Sequence, residues 1–214
     1  AQLVAVAAVI DVVLEHLGLS GGLLVLMLGV ASWTSGKRLR GVPHAYRVAA
    51  TAIAAAAGAG LVVLFGLNVF PLEGRWVIPI GGMLIGNSMT TTSLAGARMR
   101  DEVTDKTLEI EARLALGVRA VDALKPHVRR AATAALIPII DATKNAGLIL
   151  LPGAFVGIIL AGGSPADAAK VQLVVLYMLL GAVAVAGMTA TLLVARAFVA
   201  PGERIVTPEV TSSA

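Results

Sequence analysis

Arg98–Arg130, RMRDEVTDKTLEIEARLALGVRAVDALKPHVRR, decides the reading of the fold, because the chain on either side of it is almost uninterruptedly apolar. Of 214 residues, 57% are hydrophobic and 14% charged, and the mean hydropathy is +0.88. Soluble domains carry roughly 25% charged residues, so the composition predicts an integral membrane protein. Its apolar runs approach the roughly 20 residues of a transmembrane helix, whereas barrel strands alternate and need only about 10. The expected fold is all-α, a polytopic transmembrane helical bundle with one large polar connector.

Upstream of that connector lies Trp76–Ala97, WVIPIGGMLIGNSMTTTSLAGA, preceded by the Ala-rich run Tyr46–Leu67 and by Leu23–Trp33. Gly18–Gly22 reads as a turn, with a first run, Ala1–Leu17, before it. Downstream, Ala131–Ala161 is interrupted by Asp141, Lys144 and Asn145 and by Pro138 and Pro152. Gly162-Gly163-Ser164-Pro165 predicts a tight turn with Ser164 as N-cap and Pro165 at the first helical position. Ala166–Val199 is the last run, and Pro201–Ala214 a polar, frayed tail. The chain thus divides into a membrane domain over 1–200, with its connector at 98–130, and a tail over 201–214. These runs give about six spans. The first is short and starts without an initiator Met or a basic leader, so a further upstream span, seven in the full protein, is expected.

The formal net charge of +4 and pI near 9.9 do not point to nucleic acid, because the basic residues sit at span ends. Lys37, Arg38 and Arg40 mark one connector, Arg98–Arg130 another, and Arg196 and Arg204 the C-terminal end; the opposite connectors hold Arg75. By the positive-inside rule the basic side, C-terminus included, is cytoplasmic. The expectation is a multi-pass protein of the cell (plasma or inner) membrane, in contact with lipid. Trp33, Tyr46, Trp76 and Phe198 fall at span ends, where amphipathic rings settle at the interface. With no cysteine, disulfides and thiolate chemistry are excluded. No phosphate loop, H-E-x-x-H or G-x-S-x-G is present, and His16, His44 and His127 are far apart. The chain is not expected to be an enzyme or to hold a cofactor itself.

Within the connector, Ile110, Leu114, Val118 and Val121 recur at helical spacing and predict an apolar stripe opposite Glu109 and Arg113. Such a stripe has to be buried, against its own chain, the lipid surface or a partner. Glu111-Ala112-Arg113-Leu114-Ala115-Leu116-Gly117 has the E-A-x-x-x-x-G spacing of the cytoplasmic coupling loop of ABC-transporter permeases. Gly117 there permits a left-handed turn that ends one helix and starts a short second one.

Together with VIPIGGMLIGNSMTTTSLA (77–95) and AALIPIIDATKNAGLILLPGAFVGIILAGGSPADAAKVQLVVLYMLL (134–180), this segment makes the chain resemble, from Gln2 to Arg196, the FetB-type iron-export ABC permease family. Plant relatives of that family are implicated in aluminium tolerance and have been connected with a nucleotide-sugar cargo. The resemblance implies a permease that pairs with itself and with two copies of a separate ATPase, which would bind ATP and Mg. It also implies ATP-driven export, of iron or another metal. Glu111, Ala112, Gly117, Val121 and Leu124 would then receive the motion of the ATPase. A gradient-driven secondary transporter or channel, an ABC permease for a nucleotide-sugar, and a structural membrane scaffold remain alternatives.

Candidates for a solute path are the polar and soft groups within the spans: Met83, Asn87, Met89, Thr91, Asp141, Lys144 and Asn145. Asp141 and Lys144 are three apart and can pair on a helix face, so they either close the bundle as a neutralised pair or line the path. Met83 and Met89 either pack or offer sulfur to soft metals; no metal-ligand set is assigned. Gly82/Gly86 and Gly153/Gly157 are small-xxx-small steps that let helices approach. Pro79, Pro138 and Pro152 can kink or break helices at depth.

Overall fold

The computed structural model describes residues 16–147 and 151–206. The chain is an all-α polytopic membrane protein, with helices α1 (Leu17–Arg38), α2 (Ala45–Gly66), α3 (Gly74–Asp105), α4 (Thr107–Ala115), α5 (Ala120–Asn145), α6 (Gly153–Leu160) and α7 (Pro165–Ala197). A hairpin of β1 (Val199–Ala200) and β2 (Arg204–Ile205) follows. Helix α3 is the hub: it packs on α1, α2, α5 and α7, while α6 lies against α7.

By length and composition α1, α2 and α7 can each cross a membrane. Helices α3 and α5 are not among these; each joins an apolar stretch to the charged connector. At 1.5 Å per residue α3 is about 48 Å long, well beyond the ~30 Å hydrocarbon core. The connector is therefore mostly helix: the end of α3, all of α4 and the start of α5.

The predicted turn at Gly18–Gly22 is not one, since these residues lie within α1 and the Ser20 amide already donates to the His16 carbonyl at 3.0 Å. In lipid an unwound backbone finds no water, so the helix persists through its glycines. The Ala1–Leu17 run falls outside the described residues apart from its last two positions. The fifth apolar region holds two helices, α5 ending at Asn145 and α6 starting at Gly153. Ser164 caps α7 as expected, accepting from the Asp167 amide, with Pro165 first in the helix.

Three buried clusters hold the bundle. One, near the basic ends, gathers Leu39, Val48, Met99, Val103, Ile110, Leu124, Val194 and Phe198 from every element reaching that side. A second, toward the opposite ends, joins α1, α2, α3 and α7 through Ala31, Ile53, Leu64, Leu84 and Val175. Between them lies a layer of alanines, Ala52, Ala95, Ala135 and Ala190, one from each of α2, α3, α5 and α7. Side chains this small let four helices converge.

Glycine lets α1 and α3 close in parallel: a Cβ at Gly81 would lie 2.6 Å from a Leu24 methyl, and one at Gly96 2.5 Å from a Leu39 methyl. Of the predicted small-xxx-small steps, Gly82 faces Met27, but a Cβ at Gly86, Gly153 or Gly157 would meet nothing within 4 Å. Among the predicted interface rings, Trp33 and Tyr46 are exposed, and the Lys37 ammonium sits 3.6 Å over the Trp33 ring. Phe198 differs. It is fully buried, because the tail is not frayed up to Val206: the hairpin folds back and the Val206 amide donates to the Phe198 carbonyl at 2.8 Å. The rest of the predicted tail, residues 207–214, lies outside the described residues.

Candidate functional site

Two places combine the predicted residues with unusual geometry, the connector at the basic end and a polar cavity within the bundle. At the connector, α4 ends in a glycine elbow. Gly117 has φ +83°, its amide donates to Leu114 O at 2.9 Å and the Val118 amide to Arg113 O at 3.1 Å. This is the Schellman pair, which closes a helix where only a residue without Cβ strain can take the left-handed turn. After it the chain starts α5 at Ala120, with Arg119 and Asp122 paired at 2.9 Å. The second helix is not short: α5 runs from here into the membrane domain.

The elbow splits the predicted stripe. Ile110 is fully buried and Leu114 packs on the same cluster, so this half is covered by the chain itself. Val118 and Val121, beyond the elbow, are exposed, as are Leu108 (83%) and Leu116 (84%). Glu111, Ala112 and Gly117 also lie at the surface. Leu124 does not: it is buried under α5 and seats that helix on the cluster, beside a hollow of about 260 Å³ that Val121 rims. What faces outward is thus a patch of apolar side chains on a charged platform.

Inside the bundle, a cavity of about 180 Å³ lies between α3, α5 and α7, lined by Asn87, Thr90, Thr91, Leu94, Ala135, Pro138, Ile139, Ala142 and Val183. It brings together the predicted Asn87 and Thr91 and adds Thr90, but the predicted Asp141, Lys144 and Asn145 do not line it. Asn87 Nδ2 donates to the Met83 carbonyl at 2.8 Å and the Thr90 hydroxyl to the Gly86 carbonyl at 3.2 Å, so both are held by their own helix. Pro138 lacks the N–H that would reach Ala134 O, which frees a carbonyl beside the cavity. Neither methionine lines it: Met83 borders a small apolar gap with Leu64 and Met178, and Met89 packs on the second cluster.

Depth follows from the packing. Thr91 and Leu136 flank Gly187 and so share a level. Thr91 is about 10 Å along α3 from Arg98, and Asp141 about 8 Å further along α5 from Leu136. That places Asp141 near the middle of a ~30 Å hydrocarbon core, with Lys144 and Asn145 at the end of the broken helix. All three are exposed on the chain, and Asp141 and Lys144 form no ion pair with each other. Each such charge costs about 2.5–3.5 kcal/mol or more at the bilayer centre. Among the described residues no group of three or more His, Asp or Glu gathers as a metal site.

Over residues 1–199 the sequence matches the family described as "Uncharacterised protein family (UPF0014)". The chain belongs to the UPF0014 family. It is 40% identical over 174 residues to the UPF0014 membrane protein STAR2 of Oryza sativa subsp. japonica, covering 81% of this chain and 61% of that protein. It is 41% identical over 169 residues to Protein ALUMINUM SENSITIVE 3 of Arabidopsis thaliana, covering 79% and 62%. With the probable iron export permease protein FetB of Escherichia coli (strain K12), identity is 34% over 171 residues, covering 78% and 65%. The chain thus spans about three-fifths of the length of the relatives it matches. No solved structure matches.

In this UPF0014 chain the platform is braced by residues that sequence reasoning did not single out. His127, fully buried, places Nδ1 2.8 Å from Glu102 Oε2, and Arg130 approaches the same oxygen at 3.7 Å. This ties α5 to α3. Arg100 Nη1 donates to the Arg40 carbonyl at 2.9 Å while its Nη2 holds Asp101 at 2.7 Å, tying in the α1–α2 connector. The Glu203 carboxylate, on the hairpin turn, accepts from the Ala120 amide and so caps α5 from the C-terminal side. Tens of residues separate these partners, and no local pattern announces them. Removing the carboxylate leaves a buried amide unpaired, so Glu203→Ala should destabilise the UPF0014 chain by about 1–3 kcal/mol. Thermal unfolding in detergent checks this, and an unchanged midpoint would remove Glu203 from the brace.

Proposed function

We propose that this protein is the membrane permease subunit of an ABC transporter, moving iron or another metal out of the cell, with ATP and Mg bound by a separate ATPase chain. The observation that carries the reading is the elbow. A short helix closed by a left-handed Gly117 presents Leu108, Leu116 and Val121 to the basic side, on a platform joined to α3, α5 and α7. An apolar patch on a rigid charged base fits a protein partner, and the base reaches every helix around the cavity. The FetB relative is named a probable iron export permease, which supports the export and the cargo.

In this reading the basic ends and the C-terminus are cytoplasmic, the membrane is the cell membrane, and two copies of the chain act together. ATP-driven closure of the ATPases pushes on Glu111–Leu124, and α3 and α5 carry the movement to the cavity at Asn87, Thr90 and Thr91. Hydroxyl, amide and freed carbonyl oxygens without a charged cage would coordinate a cation weakly and briefly, as a cargo that must leave requires.

Leu116→Glu places a charge in the patch without touching the core, and Glu111→Lys reverses charge beside it. Both should cut capture of the cognate ATPase by about ten-fold, a loss of roughly 1.4 kcal/mol, with no change in the chain's own unfolding. ATP-dependent uptake into inverted vesicles, scanned over metals and sugar nucleotides, identifies the cargo. Ion-gradient-driven flux by the purified chain alone would overturn the ABC reading in favour of a secondary transporter.

A further inference from the structure

The outer face of α5 poses a problem that the described residues do not solve. Ile137 (51%) and Ile140 (37%) are exposed there, followed by exposed Asp141 near the level of the bilayer centre and exposed Lys144 about one turn farther along α5. Other uncovered faces are tolerable in lipid: the groove of about 530 Å³ between α2 and α7, with Val63, Val174 and Tyr177, carries no charged side chain. Acyl chains can fill it. They cannot solvate a carboxylate and an ammonium, and irregular backbone such as the end of α5 at Asn145 persists at depth only against protein or a water-filled space.

We propose that this face of α5 is covered by the same face of a second copy, with Asp141 against the partner's Lys144 and Lys144 against the partner's Asp141. A two-fold interface sets each residue of the patch opposite another of the same patch. A surface with one acid and one base is self-complementary under that operation, and two equal pairs form. The exposed isoleucines beside them close the contact against lipid. The proposal rests on the permease acting as a pair and names the contact that makes it one.

Charge exchange between differently tagged, co-expressed chains tests it. Asp141→Lys leaves a chain with two positive charges on this face, and Lys144→Asp one with two negative charges. If the contact is reciprocal, each variant alone repels its copy, while the two together form two attractive pairs. The mixed dimer should then exceed either like dimer about ten-fold in purified membranes. Pairing within one chain, or a face open to water, predicts the statistical mixture and would overturn the proposal. Because the chain has no cysteine, Ile140→Cys gives a second readout on otherwise unaltered protein. It should cross-link into dimers, and Val62→Cys on α2 and Tyr177→Cys on α7 should not. Cross-linking through Tyr177→Cys, or maleimide labelling of Ile140→Cys from water without a dimer, would equally overturn it. Neither assay uses an ATPase or a cargo, so a failed ABC reading leaves both interpretable.

Discussion

Gly117→Pro is expected to abolish ATP-driven transport while leaving a chain that still inserts in the membrane. Proline fixes φ near −65° where the elbow holds +83°. It also removes the N–H that donates to Leu114 at 2.9 Å, and it disfavours the near-helical Leu116 before it. The strain is about 3 kcal/mol or more, and it falls on α4, whose exposed side chains are the proposed landing surface. Capture of the ATPase and ATP-dependent flux should both drop by at least about ten-fold. Graded substitutions separate conformation from contact, since a Cβ at Gly117 would meet nothing within 4 Å. Gly117→Asn should stay close to the native level, because Asn tolerates the left-handed region and Asn68 already adopts it at the end of α2. Gly117→Ala, strained by about 1–2 kcal/mol, should lie between. Full transport by Gly117→Pro would mean that the elbow transmits nothing.

Ala95→Leu is expected to be the most damaging single change within the bundle. Ala95 is wholly buried in the alanine layer with Ala52, Ala135 and Ala190, where α2, α3, α5 and α7 converge. Ala95 has no exposed surface, so the added carbons press on the neighbouring helices, and moving one helix moves three others. Overpacking of this kind costs about 1–3 kcal/mol, or roughly 2–10 °C in unfolding temperature for a chain of this size. Ala55→Leu, one turn along α2 on its exposed side, adds the same volume and should be neutral. Equal behaviour of the two variants in detergent would remove the layer as the close-packed centre.

The contrast between Ala52 and Ala55 shows where sequence reading stops. Helix α2 is so rich in alanine that every side of it looks alike, and its buried side exists only because three other helices arrive there. Phe198 was legible as a span-end ring, but the hairpin that buries it depends on left-handed turns at Gly202 and Glu203. The Glu102–His127 contact joins residues on separate helices. Nothing local marks it. Leu124 was expected at the partner surface with Gly117 and Val121, yet it is buried where α5 seats on the cluster near the basic ends.

Much of the candidate site was legible nonetheless. The E-A-x-x-x-x-G segment marked the elbow because a left-handed helix end needs glycine, a requirement of one residue's own backbone. Asn87 and Thr91 stood out as polar groups in an apolar helix, and the fold gathers them at one cavity while turning Met83 and Met89 elsewhere. Asp141 and Lys144 stood out for the same reason, but spacing suggested a pair within one helix and the structure has none.

By itself the sequence determined a membrane protein, its helical class, its charged connector and the elbow, because each follows from composition, from the length of an apolar run, or from a single residue's allowed φ. The tertiary structure alone decided which alanines form the packed centre, that α5 stops at Asn145, and that two opposite charges near its end stand unpaired on an open face. Those depend on the register and depth at which separate helices meet, and no stretch of one chain encodes that locally.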